Sequence, residues 1–479
     1  MMYYKGRYAL GRVDRRRVPL TDFGGFDPED AERSLPKSMC DETFNFAFSK
    51  GKLTDGMSFS PFRQTAEDGS EQSLPVPQTQ YGEYELFAGK LKIDGETRDV
   101  LFASETQKLS YLVLGDGNAT WQTKTDMSPG TFVSAVGYVF EDDDLMLFAG
   151  RGAGVYILSG SKGGQTVANA LPIRDIRTYR ERVFAVVDRD RPCVWFSDTF
   201  DPYDWSVSLD AGGYIYTDGS AGKVLAIVPM NDFLFVICEY GLYRLTAYSD
   251  QSSFTLKRIS SDTGRIFAKS AVVCGDSLVF AALDGLYGSD GYGVRKLTSR
   301  ADGLLAGAKD VTAVYWRGKY LACFDDGKPS PDGKDGAMFA LDLDDGNIDV
   351  SRGLDFASPA VLRGEKDNKL LARSKEDGAV LAANDRGGVY RKAFAYWHIG
   401  GIDLGLPCDK KRIVQIECKT SAPITIAVIA DGERHEFVFA PAVAKRLVGV
   451  SGYEFEFEIV TRSPKIEILP PLVTIDVAR

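Results

Sequence analysis

The sequence repeats one short unit at a nearly constant interval. An apolar segment is followed by a turn containing Gly or Asp, and then by a second segment that often reads Gly-aliphatic-Tyr, as in FLFVICEYGLYRLT. Equivalent positions in the successive copies lie 39 to 51 residues apart. These positions are Ser110, Gly154, Cys193, Gly241, Gly285, Gly336 and Gly378.

This interval predicts an all-β fold with a β-propeller of about seven blades, because one four-stranded blade takes roughly 40–50 residues. HEAT repeats have a similar length but are built from amphipathic helices. Here the segments are short, rich in β-branched and aromatic residues, and interrupted by Gly, Asp or Asn. A further hairpin at 44–59 leaves six or eight blades open. We expect an N-terminal strand to complete the last blade and close the ring.

The regions that flank the repeat have a different pattern, and we predict domain boundaries from it. Residues 1–40 have little periodicity and several prolines, which indicates an extended N-terminal arm. Residues 41–398 form the predicted propeller. From 399 to 479 apolar and polar residues alternate, as in YEFEFEIV, which predicts a small C-terminal antiparallel β domain resembling a sandwich.

The predicted arm contains three consecutive basic residues, Arg15, Arg16 and Arg17. One interpretation is that the arm docks on a neighbouring subunit and that these arginines pair with its carboxylates. The alternative is a frayed terminus without a partner. The sequence alone leaves both open.

Composition argues against several functions. The 57 basic and 67 acidic residues give a net charge of −10, which disfavours a protein that binds nucleic acid by neutralising phosphates. Only two histidines occur, His398 and His435, so a multi-histidine metal site is not expected. The seven cysteines are scattered, without a CxxC pair, and five of them (Cys193, Cys238, Cys274, Cys323 and Cys418) lie in apolar segments that predict reduced core thiols.

Known catalytic and phosphate-binding motifs are missing from the sequence. It has no Walker-type GxxxxGK[ST], no GxSxG and no HExxH. The acidic segments at 141–144, 324–336 and 342–349 predict solvated turns, with an adventitious divalent ion as the alternative. We therefore predict no catalytic residue, no cofactor and no enzyme activity. No apolar segment reaches the roughly 18 residues of a membrane span, and no signal peptide is predicted.

Three segments carry a resemblance to a known family. The first, residues 180–206, leads to the motif S-D-x-x-D-P-x-x-W. The second and third are residues 231–246 and 445–468, and the stretch at 396–420 fits the same group. In this order they resemble the β-propeller virion proteins of tailed bacteriophages, most of all the packaged-DNA stabilisation proteins that form the tail hub or plug of short-tailed phages.

The resemblance implies a non-enzymatic structural protein of the virion, made in the host cytoplasm. It would assemble as a homo-oligomeric ring around the DNA channel, with portal, adaptor or other tail proteins as partners. DNA would pass nearby without specific binding, and the negative charge would make the channel wall non-adhesive. The family has no catalytic residues to transfer. Within the motif, Asp201, Pro202 and Trp205 predict a structural corner, with a ligand contact as the alternative.

Two other functions remain open at the level of sequence. One is a propeller at the tail tip that binds a host-surface glycan or receptor through exposed aromatic residues, with Tyr214, Tyr216, Tyr287 and Tyr292 as candidates. The other is a glycoside-processing enzyme, for which no pair of carboxylates can be nominated. Position in the particle and copy number would separate these functions from the tail hub.

Overall fold

The computed structural model describes residues 13–478 except 66–69, 80–82, 116–119, 125–130, 152–153, 169–170, 190, 209–210, 249, 261, 329–335, 355, 365–366 and 385–393. Nearly all regular structure in this part of the chain is β-strand, with a single short α-helix, Asp302–Leu305. Two short 3-10 helices, Gln251–Ser253 and Ala268–Ser270, join strands. The described helices include none long and apolar enough to span a membrane.

The chain forms two compact units. We call Phe59–Gly346 together with Gly353–Ala383 the central unit. The terminal unit consists of Met1–Ser58, Asn347–Arg352 and Asn384–Arg479. The prediction of an all-β protein is therefore confirmed, and the strands are divided between two units that are built differently.

The central unit is built from short sheets whose strands mostly follow one another along the chain. Among its described residues we number seven sheets in chain order. The strands of sheet 1 are Glu85–Ile93, Glu96–Glu105, Lys108–Val113 and Gln122–Lys124; those of sheet 2 are Thr131–Phe140, Asp143–Arg151, Gly154–Ser159 and Gly163–Val167; and those of sheet 3 are Ile173–Tyr179, Arg182–Val187, Cys193–Phe196 and Gly213–Tyr216. Sheet 4 consists of Val224–Met230, Phe233–Cys238, Leu242–Thr246 and Thr255–Ser260, and sheet 5 consists of Val272–Cys274, Ser277–Ala282, Gly285–Ser289 and Val294–Thr298. Sheet 6 contains Val311–Trp316, Lys319–Phe324 and Ala337–Asp342, and sheet 7 contains Phe356–Arg363, Asn368–Ser374, Val380–Asn384 and Ser58–Pro61. A separate hairpin pairs Arg63–Thr65 with Glu71–Ser73.

The sheets follow one another in a cyclic order. The first strand of each sheet contacts the first strand of the next, and Phe356–Arg363 of sheet 7 contacts Glu85–Ile93 of sheet 1. Hydrophobic clusters fill the spaces between sheets 1 and 2, 2 and 3, 3 and 4, 4 and 5, and 7 and 1. Because each sheet covers a face of its neighbour, no single small sheet has to bury both faces alone. This is the packing principle of a β-propeller.

The recurring glycine of the sequence repeat has a structural reason. Gly154 is the first residue of the third strand of sheet 2 and Gly336 directly precedes the third strand of sheet 6, with φ values of 66° and 102°. A side chain at Gly154 would place its Cβ 2.7 Å from the carbonyl oxygen of Val167, and one at Gly336 would lie 2.6 Å from that of Leu354. Both the backbone conformation and the close approach of another backbone segment therefore favour glycine.

The terminal unit combines both ends of the chain in two sheets. Sheet A contains Val13–Pro19, Leu472–Ala478, Lys411–Thr420, Ala442–Gly452, Glu467–Ile468, Leu53–Asp55 and Phe46–Phe48. Sheet B contains Glu42–Phe44, Ala395–Ile402, Phe455–Thr461, Ile424–Ala430 and Glu433–Phe439. Two further strands, Thr21–Phe26 and Lys37–Cys40, pair in parallel, and Ile348–Arg352 also belongs to this unit.

The bounds of the two units differ from the predicted ones. The predicted arm, as far as it is described, is not a separate extension, since Val13–Pro19 pairs with Leu472–Ala478 along its whole length. Phe23 lies edge-on against Trp397 at 5.4 Å between ring centres, and both side chains are buried. Within the predicted hairpin at 44–59, Phe46–Phe48 does pair with Leu53–Asp55, but in sheet A and not as a blade, and only the last two residues belong to a strand of sheet 7, Ser58–Pro61. Covering the edge of Leu472–Ala478 and burying Phe23 both favour this arrangement over a free arm.

Candidate functional site

The three arginines lie on Val13–Pro19, an edge strand of sheet A. Arg15 is directly opposite Asp476, and its Nε and Nη2 donate to the two carboxylate oxygens at 2.6 and 2.7 Å. This contact lowers the pKa of the Asp476 carboxyl below its usual value. Arg17 pairs with Glu417 at 2.5 Å, and Arg16 pairs with Asp14 at 2.8 Å.

The carboxylates that the sequence led us to expect on a neighbouring subunit are thus present within the same unit. Successive side chains of a strand point to opposite faces, so Arg15 and Arg17 share one face and Arg16 lies on the other. The Arg15 side chain is still 62% exposed. Arg15 therefore joins the two ends of the chain and Arg17 joins the first strand to Lys411–Thr420, whereas Arg16 pairs within its own strand. Docking stays a prediction.

The motif at the end of the third strand of sheet 3 forms a tight corner. Asp201 Oδ1 accepts a hydrogen bond from the backbone N–H of Tyr203 at 2.8 Å. Trp205 Nε1 donates to the carbonyl oxygen of Pro202 at 2.9 Å. The Trp205 side chain is buried in the cluster between sheets 2 and 3, where it belongs to the same core as Trp195. In the structure these residues hold the corner against the sheet, and Trp205 is not exposed to a ligand.

An open pocket of about 410 Å³ lies beside this corner. Its lining residues are Ile157, Lys162, Gly163, Gly164, Gln165 and Tyr203. Lys162 is 3.5 Å from Glu141, and burial raises the pKa of the Tyr203 hydroxyl. The side chains that line the pocket are thus mainly polar and aromatic.

The four tyrosines predicted as a binding surface do not converge at one place. Tyr214 and Tyr216 lie together on the outer strand of sheet 3, with ring centres 5.0 Å apart. Tyr287 of sheet 5 is stacked on Phe280, and its hydroxyl donates to Asp284 at 2.7 Å. Tyr292, which is 73% exposed, belongs to a loop of the same sheet.

Around Tyr214 and Tyr216 the structure assembles what we call the aromatic–arginine surface, consisting of Arg189, Arg191, Trp195, Tyr214 and Tyr216. Trp195 is paired with Tyr214 across the two strands, and their ring centres are 5.1 Å apart. The Arg191 guanidinium lies 3.7 Å from the ring centre of Tyr216, and that of Arg189 lies 5.1 Å from Trp195. These are distances at which a guanidinium is attracted to an aromatic face.

Sequence reasoning missed most of this surface. It singled out Tyr214 and Tyr216, but it did not connect them with the segment RDRPCVWF some twenty residues earlier. The available signal was the alternation of tyrosines on the outer strand Gly213–Tyr216, which lies beside a fully buried strand of the same sheet. Reading it required the register between those strands, which pairs Trp195 with Tyr214 and Cys193 with Tyr216.

Possible metal ligands are dispersed over the described part of the chain. No cluster there brings together three or more His, Cys, Asp or Glu side chains able to hold a metal ion. His398 lies 3.2 Å from Glu456, and His435 lies 3.9 Å from Glu433. Of the predicted acidic turns, Asp342 accepts from the N–H of Asp344 at 3.0 Å, whereas residues 329–335 lie outside the described residues.

The cysteines are free thiols. Cys193, Cys238, Cys274 and Cys418 are buried, and Cys323 is partly buried. Burial raises the pKa of Cys238 and Cys274 to about 12, so these side chains are uncharged thiols at neutral pH and poor nucleophiles.

Comparisons with known proteins give no family. No protein-family model matches the chain, and no curated protein matches it. Among solved structures, BBS1N in complex with ARL6DN is similar at 12% identity, over 64% of this chain and 94% of that chain, with a TM-score of 0.43. The N-terminal domain of Nup159 is similar at 7% identity, over 69% and 95%, with a TM-score of 0.38. PorZ, a surface component of the type-IX secretion system of Porphyromonas gingivalis, is similar at 12% identity, over 91% and 65%, with a TM-score of 0.40. Similarities of this size carry no functional argument.

Proposed function

We propose that this chain is a non-enzymatic structural subunit of a tailed-phage virion, a tail hub or head-to-tail connector component that assembles in a ring around the DNA channel. The observation that carries the proposal is the location of the segments with the phage resemblance. Residues 180–206 and 231–246 supply strands of sheets 3 and 4, and residues 396–420 and 445–468 supply strands of sheets A and B. Two proteins that share a scaffold are expected to resemble each other mainly in the strands that build it.

The finer fold that we propose is a seven-bladed propeller in which each numbered sheet of the central unit is one blade. Support comes from the cyclic contacts between first strands. It also comes from Ser58–Pro61, which precedes sheet 1 in the chain but lies beside Val380–Asn384 in sheet 7. Such a strand would lock the ring, because the last blade is then completed by residues that precede the first.

In this proposal DNA runs outside each propeller, through a channel formed by several copies. An ion pair links sheet 1 with the helical turn before sheet 5, since Lys269 Nζ lies 3.1 Å from Glu85 Oε1. The other carboxylate oxygen of Glu85 accepts from Ser358 at 2.5 Å. These residues come from sheets 1 and 7 and from the helical turn before sheet 5, so in the proposed ring they would connect blades that are not neighbours. The net charge of −10 would keep the outer wall from adhering to DNA.

Electron microscopy of the intact particle, combined with counting of copies by quantitative mass spectrometry, tests this function. We expect density for the chain in a closed ring at the head–tail junction, with portal, adaptor or tail proteins as its neighbours. A copy number equal to the order of that ring should accompany it. Density confined to the distal tip of the tail would overturn the proposal.

A second candidate function, recognition of a host-surface glycan or receptor at the tail tip, is favoured by the exposed aromatic side chains. Tyr292 is 73% exposed, and Tyr214 and Tyr216 are 41% and 36% exposed. Exposed aromatic rings on a rigid sheet are costly to leave in water and are enriched where proteins bind partners. Distal-tip density together with glycan binding would establish this candidate in place of the first.

A further inference from the structure

We propose that copies of this chain bind one another head to tail, with the basic outer face of sheet A in one copy against acidic turns of the central unit in the next. The inference deepens the proposed function and rests on it for the ring that such contacts would build. It names the two surfaces and the charges that hold them together. Binding between copies can be measured whatever the position of the protein in the particle.

Charge is divided unevenly between the two units. The central unit contains 33 basic and 45 acidic residues, whereas the terminal unit contains 24 basic and 22 acidic residues. The central unit therefore has a net charge of −12 and the terminal unit one of +2. Charge thus favours contact between the unlike units of two copies over contact between like units, as a head-to-tail arrangement requires.

The outer face of sheet A is basic. Residues directly opposite each other on paired strands share a face of the sheet, and the register places Arg15, Asp476 and Arg412 in one row. On this face of the strands Val13–Pro19, Leu472–Ala478, Lys411–Thr420 and Ala442–Gly452, the carboxylates are those of Asp476 and Glu417. They are outnumbered by five cations, which we call the basic face: Arg15, Arg17, Arg412, Lys419 and Lys445.

The basic face has cations to spare for a partner. Glu417 already lies 2.5 Å from Arg17 and 3.2 Å from Lys445, so one carboxylate serves two cations. Arg412 and Lys419 are exposed, and neither has an ion-pair partner among the described residues. Carboxylates of another molecule can therefore bind here without displacing an existing ion pair.

The strand Ala442–Gly452 adds apolar side chains and a free edge to the basic face. Leu447 is 78% exposed and Val443 is 56% exposed, and both lie on the same side of the strand as Lys445. In the described part of the chain this strand pairs only with Lys411–Thr420, so its other edge is unpaired. Exposed apolar side chains among charges, beside an unpaired edge, are typical of a surface that binds protein.

The complementary surface lies on turns between the first and second strands of the sheets in the central unit. The Lys92 ammonium donates to the carbonyl oxygen of Asp142 at 2.6 Å, which joins the turns of sheets 1 and 2. The Tyr138 hydroxyl donates to that of Glu181 at 3.2 Å, which joins sheets 2 and 3. These turns in sheets 1 to 4 hold eight residues, of which one is basic and five are acidic. We call the acidic residues the acidic rim: Asp94, Glu141, Asp142, Glu181 and Asp232.

Exposed apolar side chains also lie beside the acidic rim. Val139, two residues before Glu141, is 69% exposed. Phe200 is 66% exposed, and its backbone N–H donates to the carbonyl oxygen of Glu181 at 2.7 Å. The acidic rim and the basic face therefore combine apolar groups with charges of opposite sign, which is the complementarity expected of two surfaces that bind each other.

DNA is another polyanion that a basic surface could meet, but the composition of the basic face does not suit it. The carboxylates of Asp476 and Glu417 would lie against phosphates, and Val443 and Leu447 would gain no apolar contact from a phosphate backbone. A second copy of the chain supplies both the carboxylates and the apolar side chains that this surface lacks.

The test is analytical ultracentrifugation of the full-length protein over a range of concentrations, at an ionic strength of about 0.15 M. Charges more than about 8 Å apart are then largely screened, so the charges in contact matter more than the net charge of each copy. We expect reversible association beyond the dimer. Protein that stays monomeric at every concentration overturns the proposal, and so does association that ends at a dimer, the product of a symmetric contact.

Charge reversal locates the two surfaces. Lys419→Glu combined with Lys445→Glu should weaken association at least about tenfold, because like charges would then face each other. Glu141→Lys combined with Glu181→Lys should do the same from the other side. All four substitutions in one chain should restore association, since every contact then has opposite charges again. Failure of the fourfold variant to associate, with circular dichroism showing that it is folded, would overturn the assignment.

The matched control is Lys257→Glu combined with Lys309→Glu, two exposed lysines of the central unit outside the acidic rim. It changes the net charge as much as the reversal on sheet A and should leave association unchanged. An equal loss in both double variants would mean that net charge alone decides association. Duplex DNA is the second probe: if the reversal on sheet A abolished DNA binding and left association unchanged, the basic face would bind DNA and the proposal would be wrong.

These outcomes are separate from those that decide the function. Association through the two surfaces, by a protein found only at the distal tip of the tail, would keep the inference and reject the tail hub. A ring at the head–tail junction that assembles normally from both charge-reversed variants would keep the function and reject this inference alone.

Discussion

The central and terminal units are both made of β-strands, but they differ in how far apart in the sequence the paired strands lie. In the central unit each sheet is formed mainly by strands that follow one another, with short turns between them. In the terminal unit the strands Val13–Pro19 and Leu472–Ala478 pair across almost the whole chain, and Arg15 and Asp476 are 461 positions apart. Local pairing leaves a repeat that can be recognised in sequence, whereas long-range pairing leaves only isolated strand signals.

The largest expected effect compares the two hydrophobic cores. Trp397 in the terminal unit is 1% exposed, and Phe148 in the central unit is fully buried and packs edge-on against Phe102 at 5.1 Å. Changing either one to Ala leaves a cavity and should cost about 3–5 kcal/mol of unfolding free energy. Hydrogen exchange with mass spectrometry should show faster exchange in sheet B for Trp397→Ala, and in sheets 1 and 2 for Phe148→Ala.

The two variants control for each other, since each removes an aromatic side chain of similar burial from one unit. Regional effects would mean that the units open separately. If both variants accelerated exchange in both units alike, the molecule would unfold as one cooperative unit, and the contrast between the units would concern only their topology.

The next effect concerns the glycine of the repeat. Gly154→Ala meets two obstacles, a φ of 66° and a carbonyl oxygen 2.7 Å from the new Cβ. Its matched control is Gly163→Ala in the same sheet, where φ is 83° but nothing lies within 4 Å of the Cβ. The left-handed conformation should cost both variants about 1–2 kcal/mol, and the close contact should cost Gly154→Ala about 1–3 kcal/mol more.

Chemical denaturation at 25 °C measures this difference. If the two alanine variants were equally stable, crowding by the neighbouring strand would not explain why the repeat keeps glycine at this position. The backbone conformation alone would then be the explanation.

The contrast between local pairing in the central unit and long-range pairing in the terminal unit also explains how much of the fold could be predicted from the sequence. The all-β class was predicted from sequence and is confirmed, because the turns and alternating strands that define it lie within short windows. The strand Val13–Pro19 could not be recognised, since its three arginines interrupt the apolar pattern and its partner is at the other end of the chain. The hairpin at 44–59 was recognised as a hairpin but could not be assigned to sheet A, because its pattern does not encode its neighbours.

The candidate sites show the same limit. Arg15, Arg16 and Arg17 were noticed as a charged segment, but their intrachain carboxylates could not be identified without the register of sheet A. Tyr214 and Tyr216 were noticed as aromatic residues, but they were grouped with Tyr292, which is on another sheet. The face of the sheet on which a residue lies can be predicted from the alternation along its own strand. Which residues of two strands are neighbours depends on the register between the strands, which the sequence does not show.

A smaller effect should come from Asp218, whose contacts are local to the central unit. Its carboxylate accepts hydrogen bonds from Ser220 N–H at 2.9 Å, from Ser220 Oγ at 2.6 Å and from the Tyr243 hydroxyl. The hydrogen bonds from Ser220 and Tyr243 lower the pKa of Asp218 to about 2. Because the folded pKa is below the unfolded value of about 3.9, the stabilisation is complete above that value and is lost as pH falls towards 2.

Asp218→Asn should therefore be less stable than the parent protein at pH 7, and the difference should shrink between about pH 4 and pH 2. Thermal unfolding at a series of pH values measures it. Asp290→Asn is a suitable comparison, because within the described part of the chain the hydrogen bonds to its carboxylate come from the backbone N–H groups of Tyr292 and Gly293. If the difference in stability between the parent protein and Asp218→Asn did not change with pH, the hydrogen bonds would not be stabilising the charged form of Asp218.

The smallest expected effect is at Arg15, where the long-range topology of the terminal unit meets the predicted docking role. Removing an exposed ion pair changes stability little, so Arg15→Gln should lower the melting temperature only slightly, and less at high salt. It should also raise the pKa of Asp476 towards its usual value in an NMR titration, and the small stability difference should disappear as pH falls through the lowered pKa.

Arg16→Gln is the matched control, because its partner Asp14 is on the same strand. If Arg15→Gln kept the monomer stable but abolished incorporation into particles, while Arg16→Gln did not, the Arg15 side chain would act in docking as well as in joining the chain ends. Normal incorporation of both variants would leave Arg15 with the intrachain pair alone, and would contradict a docking role of Arg15 and Arg16.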